Sequence, residues 1–157
     1  RLNMSLRIWD DIRSHMDDHS EGTLIRSRER VQVTAEIFTP SELVLQMLQR
    51  LPIETLGPGK TVLDPACGDG QFLVAAKWIK ILHFGMSEKE ALRDIYGIDI
   101  MADNVAICQA RLGGGTVIIG DALNPLREVP GQTVADRRIL LDLVNAPTSH
   151  SCCTGIG

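Results

Sequence analysis

The sequence predicts an α/β fold in which helices cover a parallel sheet. From residue 61 onward, short apolar runs of strand character alternate with stretches of helical periodicity, the pattern of βαβ units. Aromatic residues make up only 4% of the chain, so the core must be aliphatic, which suits Val/Ile/Leu-rich strands buried on both faces. Three of the apolar runs end on or near an acid, at Asp64, Asp99 and Asp121. A parallel sheet brings such positions together at the carboxyl ends of its strands, where these sheets bind their ligands. A chain of 157 residues is long enough for one core of this kind and not for two.

The elements follow in order. Residues 1–32 are polar, with Leu6, Ile8, Trp9, Ile12 and Met16 spaced for a surface helix or two, and they read as an N-terminal helical accessory segment. The core is expected over 33–157. In "IFTPSELVLQMLQRL", Thr39 is placed to cap a helix, Pro40 to occupy its first position and Glu42 to close a capping box. Leu43, Met47, Leu48 and Leu51 form an apolar stripe that Pro52 ends. "LGPGK" is a loop and "TVLD" a short buried strand. After the glycines of "ACGDG", the run "QFLVAAKWIKIL" sets Phe72, Ala76, Ile79 and Leu82 on one helical face. "SEKE" is a capping box opening a short helix, "IYGIDI" a second strand ending on Asp99, and "ADNVAICQARL" a further helix broken at "GGG". "TVIIGDAL" is a third strand ending near Asp121, and "RILLDLV" at 138–144 reads as a fourth.

Charge and cysteine usage exclude several classes. A net charge of −4 argues against a freestanding nucleic-acid binder, which needs concentrated Lys and Arg. The arginines of the first thirty residues are matched by as many acids, as on a solvated helical face. Membrane-spanning and signal-peptide patterns are absent from the sequence, so the expected location is the cytoplasm, with Cys67, Cys108, Cys152 and Cys153 as free thiols. His150 beside Cys152 and Cys153 lacks a second ligand pair at finger spacing, and no metal site is expected.

"VLDPACGDGQF", residues 62–72, is a strand, glycine loop and helix start, which together cradle a nucleotide. The dinucleotide fingerprint fails because Gly68 and Gly70 are followed by Gln71, Phe72 and Leu73 rather than a third glycine. The phosphate-loop pattern fails because "GPGKT" lacks the spacer between its glycines. Asp64 and Asp69 flank the loop where a pyrophosphate would approach, and carboxylates there repel phosphate. They suit a cationic ligand, and S-adenosylmethionine carries an ammonium and a sulfonium without any phosphate. Gly68 and Gly70 allow close backbone approach, Asp99 is placed for both ribose hydroxyls, and Asp121 for the adenine amine with Ile100 and Leu123 as walls. Singly, each feature has an ordinary structural reading, a glycine pair as a turn and a strand-end Asp as a cap. Cys67 reads as a small buried residue rather than a nucleophile.

With these residues in place, "VLDPACGDGQFL" resembles the first motif of the adenine-specific amino DNA methyltransferases, and "IFTPSELVLQML" is similar to the Phe/Tyr-Thr-Pro motif that precedes it in one subgroup, which includes modification subunits of restriction systems. "YGIDI" and "GDAL" resemble the acidic motifs of the next two strands, and the resemblance spans residues 33–124. It implies a Rossmann-like methyltransferase core, a partial parallel sheet with flanking helices, and S-adenosylmethionine as cofactor. Thr39 and Pro40 would line its methionine end, Asp64, Ala66, Gly68 and Gly70 its methionine and ribose region, Asp99 the ribose and Asp121 the adenine. The family also carries Asn/Asp-Pro-Pro-Tyr/Phe after the fourth strand, whose groups accept the protons of the target amine and stack on a flipped base. Here the chain has "LLDLVNAPTSHSCC": Asn145 and Pro147 match, while Ala146 and Thr148 depart. The implied function is adenine-N6 methylation of DNA by a core incomplete at its C-terminus, with DNA reached through a separate recognition region or a partner subunit. The alternatives are an inactive or partner-dependent cofactor-binding module, and an N-methyltransferase of RNA or protein glutamine.

Overall fold

The computed structural model describes residues 6–17 and 39–145. Helix α1 (Leu6–Asp17) is followed by α2 (Ser41–Arg50), a 3-10 turn (Ile53–Leu56), β1 (Val62–Asp64), α3 (Gln71–Leu82), α4 (Glu88–Arg93), β2 (Ile95–Asp99), α5 (Ala102–Leu112), β3 (Thr116–Ile119) and α6 (Val134–Asn145). Among the described residues the sheet has three strands in the order β1-β2-β3, all parallel. Val62 lies opposite Ile95 and Asp64 opposite Gly97, while Asp99 lies opposite Ile119. Asp64 and Asp99 thus stand at the same end of neighbouring strands.

Side chains alternate across the sheet, and each face has its own cover. Val62, Ile95 and Val117 face a large cluster that includes Leu73, Ile79, Val105 and Leu112. Ile98 and Ile118 face a smaller one closed by Leu140 of α6, with Leu63 and Ile139 at its border. Ile12 and Met16 of α1 are wholly buried in the large cluster, so α1 shares the core of the sheet domain.

Helix α3 is pressed between the sheet and α1, and its burial is deeper than one amphipathic face. Leu73, Val74, Ala75, Ala76 and Ile79 are buried, whereas Phe72 and Leu82 are only half-buried at the border. Even its lysines are enclosed, and each is satisfied. Lys77 Nζ donates to the Leu112 carbonyl at 2.8 Å and to Glu88 at 3.0 Å. Lys80 Nζ donates to the carbonyls of Gly57 and Lys60 at 3.1 and 2.8 Å, tying the "LGPGK" loop to the helix. Burial holds the Lys80 amine below its ordinary value.

The expected capping box at Ser87 and Glu90 is present in both directions. Helix α5 ends at Gly113, whose φ of +72° closes the turn. Three expectations are corrected. Helix α2 begins at Ser41 with Pro40 at the capping position and no side-chain cap bond there, and Glu42 pairs with Arg13 of α1. β3 stops at Ile119, two residues before Asp121. The stretch 138–144 is helical and not a strand. A capping box opens the helix: Thr133 N–H donates to Asp136 at 3.1 Å and Asp136 N–H to the Thr133 hydroxyl at 3.0 Å. Ile139, Leu140 and Leu143 then meet the sheet at helical spacing. No helix of the described residues is long and apolar enough to cross a membrane. Pro147, His150, Cys152 and Cys153 lie outside the described residues, as does 18–38.

Candidate functional site

β1 ends on Asp64, and the chain turns at once through Pro65 to Gly70. The turn is stitched to β2. Cys67 N–H donates to the Ile98 carbonyl at 2.8 Å, and Gly68 N–H to Asp99 Oδ2 at 2.9 Å. Gly70 N–H returns to the Cys67 carbonyl at 2.8 Å, and the Gly70 carbonyl accepts the first helical bond of α3, from Val74, at 2.8 Å. Gly68 and Gly70 have φ of +55° and +92°. At Gly70 space is as restrictive as conformation, because a Cβ would lie 2.6 Å from Cys108 Sγ. Under the loop, Gly97 leaves room for Leu73 and Cys67.

Asp64 and Asp99 are both buried. Asp64 Oδ1 accepts from Ala66 N–H at 3.1 Å. Asp99 Oδ1 accepts from Met101 N–H at 2.9 Å and Asn104 Nδ2 at 3.2 Å. With Gly68 on Oδ2, three of the roughly four acceptor positions of the Asp99 carboxylate are filled. One remains on Oδ2, so Asp99 can take one further donor rather than two. Burial pushes the Asp64 carboxyl above its ordinary value; the Ala66 N–H opposes that shift and the Asp99 charge adds to it. Among the described residues no Lys or Arg forms an ion pair with either acid.

Asp69 behaves differently. It was expected beside the ligand, but its side chain is turned inward and forms a buried ion pair with Arg111, Nη1 to Oδ2 at 3.4 Å. Among the described residues, Asp64 and Asp99 are therefore the acids of the loop without an ion-pair partner. Asp121 is half-buried beyond β3, where its Oδ1 caps its own turn through the N–H groups of Leu123 and Asn124 at 3.0 and 3.1 Å and its Oδ2 meets Arg127 at 3.2 Å. Burial acts to raise its carboxyl, but the Asn124, Arg127 and Leu123 donors outweigh it and hold it below the ordinary value. Ile100 is exposed, and Leu123 is 99% exposed. Ala66 is exposed in the loop, and Thr39 and Pro40 stand at the head of α2, half-buried and exposed. Asn145 is exposed at the last position of α6, not at a strand end.

Two residues of the site, Asn104 and Arg111, have no motif that marks them in the sequence, and Cys108, expected as a free thiol, packs against the loop at Gly70. Asn104 lies five positions after Asp99, in "DIMADN", and that short polar spacing is its only signal in the sequence. Cys67 and Cys108 are both free and buried. The Cys67 thiol's hydrogen bond to Cys108, its burial and the charges of Asp99 and Asp64 all hold it protonated, which agrees with a packing role.

A parallel sheet whose first strand opens into a glycine loop and whose second ends on a hydrogen-bonded acid defines an α/β domain with that loop at the carboxyl ends of its strands, the end at which such sheets hold their ligands. The chain matches the family model described as N-6 DNA Methylase over residues 15–112, most of its length, and it belongs to that family. The match starts inside α1 and ends with α5. The chain is also similar to a crystal structure of a modification subunit of a putative type I restriction enzyme from Vibrio vulnificus, with 24% identity and a TM-score of 0.49. That similarity covers 61% of this chain and 21% of the other, so the chain spans about a fifth of that protein's length. No curated protein matches the chain.

Proposed function

We propose that this chain is the S-adenosylmethionine-binding part of an adenine-N6 DNA methyltransferase. The observation that carries the reading is the pair of buried acids, Asp64 and Asp99, joined by a glycine loop and lacking a cationic partner among the described residues. Buried carboxylates without counter-charge are costly, and a ligand bearing an ammonium and a sulfonium offsets that cost. The start of α3 fits the same ligand. Its capping position is Gly70, with no side-chain cap bond, so its first N–H groups suit the methionine carboxylate.

In this reading Asp64, Ala66, Gly68 and Gly70 bound the methionine and ribose region, and Thr39 and Pro40 its outer side. Asp99 Oδ2 accepts one ribose hydroxyl through its remaining position. Asp121 takes the adenine amine, and Leu123 and Ile100 cover the ring. When bound, the cofactor supplies an electrophilic methyl group. The chain's own residues hold and orient it, and Gly68, pinned to Asp99, keeps the loop closed against the strand ends.

Asn145 and Pro147 remain the candidates for accepting the protons of the target amine. Helix α6 occupies the stretch that would carry the strand before them, so we assign target-base capture to a partner subunit or to a region outside the cradle. DNA is the proposed substrate and the cytoplasm the proposed site of action. RNA or protein-glutamine methylation would use the same cradle, and competition among the three substrates separates them.

The test is calorimetric titration with S-adenosylmethionine, with Asp99→Ala as control, followed by transfer of labelled methyl to unmodified DNA. Binding that the control abolishes supports the cradle, and no binding by the folded wild-type chain refutes it. A chain that binds cofactor but methylates no DNA, alone or with its partner, loses the DNA assignment.

A further inference from the structure

We propose that Arg111 is the positioning residue of the cofactor loop, holding the turn at Asp69–Gln71 from α5 and coupling it, through Met16, to α1. The role rests on the cofactor reading of the cradle. The Arg111 side chain is 5% exposed, and its fork reaches four acceptors. Nη1 donates to the Asp69 carbonyl at 3.1 Å and faces Asp69 Oδ2 at 3.4 Å. Nη2 donates to Gln71 Oε1 at 3.0 Å and to the Met16 carbonyl, near the end of α1, at 3.2 Å.

Asp69 stands between Gly68 and Gly70, both at positive φ, where glycine's freedom leaves the intervening peptides several accessible orientations. A planar fork gripping both the carbonyl and the carboxylate of Asp69 selects one of them. The Asp69 carbonyl and the Gly70 N–H belong to one peptide plane. Holding the carbonyl on Arg111 therefore aims the Gly70 N–H at the Cys67 carbonyl, the bond that closes the turn. Asp64 and Asp99, the acids assigned to the ligand, take their hydrogen bonds from Ala66, Gly68, Met101 and Asn104 instead. Arg111 thus acts through the loop and not on the ligand.

The experiment is calorimetric titration of the full 157-residue chain with S-adenosylmethionine, with thermal unfolding run beside it. The variants are Arg111→Lys, Gln71→Ala, and the double change Arg111→Met with Asp69→Asn, which removes both charges together and strands neither. The double variant takes a donor from the Asp69 and Met16 carbonyls and from Gln71 Oε1, so it is expected to melt below wild type and, where folded, to bind at least tenfold more weakly. Arg111→Lys keeps the charge without the fork and recovers part of that loss. Gln71→Ala leaves the ion pair intact and is expected to fold and to weaken binding several-fold, so it carries the test if the double variant does not fold. Wild-type affinity in a folded double variant, or in Gln71→Ala, overturns the proposal. Failure of the wild-type chain to bind overturns the cofactor reading itself, and it shows before any substitution is made.

Discussion

Gly70→Ala isolates what the loop asks of a single residue. Two separate costs meet there. The backbone sits at φ +92°, a conformation that costs a residue with a Cβ about 1–2 kcal/mol. The added Cβ would also lie 2.6 Å from Cys108 Sγ, well inside contact distance, and overpacking of a dense core costs about 1–3 kcal/mol. The sum is about 2–5 kcal/mol, a large share of the ~5–15 kcal/mol by which domains are stable. Urea unfolding followed by the fluorescence of Trp9 and Trp78 measures the loss. Cys108→Ala separates the two parts. It removes the sulfur that Gly70→Ala would meet and leaves Cys108 Cβ and Cα at 3.3 and 3.4 Å, so in its background Gly70→Ala should cost little more than the backbone part, about 1–2 kcal/mol. The cycle should show a coupling of about 1–3 kcal/mol between the sites. A loss below about 1 kcal/mol for Gly70→Ala would refute the backbone and packing costs together, and additive losses would refute the contact with Cys108.

Three further outcomes are expected. Asp64 has a carboxyl raised by burial, so the folded chain holds its proton more tightly than the unfolded chain, and the group's contribution to stability falls as pH rises from 3.8 through the folded value. Asp64→Asn should remove that part of the pH profile, raise the melting temperature of the ligand-free chain at neutral pH, and weaken S-adenosylmethionine binding; an unchanged pH profile refutes it. Thr133→Ala should lower stability by about 0.5–2 kcal/mol through loss of the α6 capping box, measurable by chemical denaturation, with no loss expected if 138–144 were a strand. Leu123→Ser, at a side chain 99% exposed, should leave stability within about 0.5 kcal/mol while weakening cofactor binding in a titration, and unaltered affinity would remove Leu123 from the adenine wall.

The parts of the fold that were legible are those in which local chemistry and tertiary packing agree. "SEKE" caps α4 because Ser87 and Glu90 satisfy each other's backbone within four residues, without help from the rest of the chain. "IYGID" reads as a strand because apolar residues occupy both of its faces, and both faces are covered. "RILLDLV" misled because a run of that length fits a buried strand or a buried helix equally well. The arbitrating signal lay upstream, in the Thr133–Asp136 box, outside the apolar run itself. At α2 the error ran the other way. Thr39 and Glu42 have capping-box spacing, but Glu42 is drawn to Arg13 of α1, a partner 29 positions away that no local pattern contains.

The acids of the site divide along the same line. Spacing places Asp64 and Asp69 as two acids flanking the glycine loop, with Asp99 at the end of the next strand. Only a tertiary contact separates them, because Arg111 enters from α5, 42 positions after Asp69, and neutralises that acid inside the protein. The consequence is chemical as well as structural. Were all three uncompensated, the loop would be strongly destabilised; were all three paired inside, nothing would draw a cation to the strand ends. One acid is anchored by a guanidinium, and among the described residues the other two are held by neutral N–H donors, which in the proposed reading leaves them for a cationic ligand. Asp99 takes three such donors and is oriented by them, whereas Asp64 has the single bond from Ala66 and a carboxyl raised by burial. A cation arriving at the loop therefore favours the ionised form of Asp64, and its affinity should rise with pH through that group's folded value. Titration calorimetry across that range reads this directly. An affinity independent of pH there would mean that Asp64 shapes the loop without contributing its charge to the ligand.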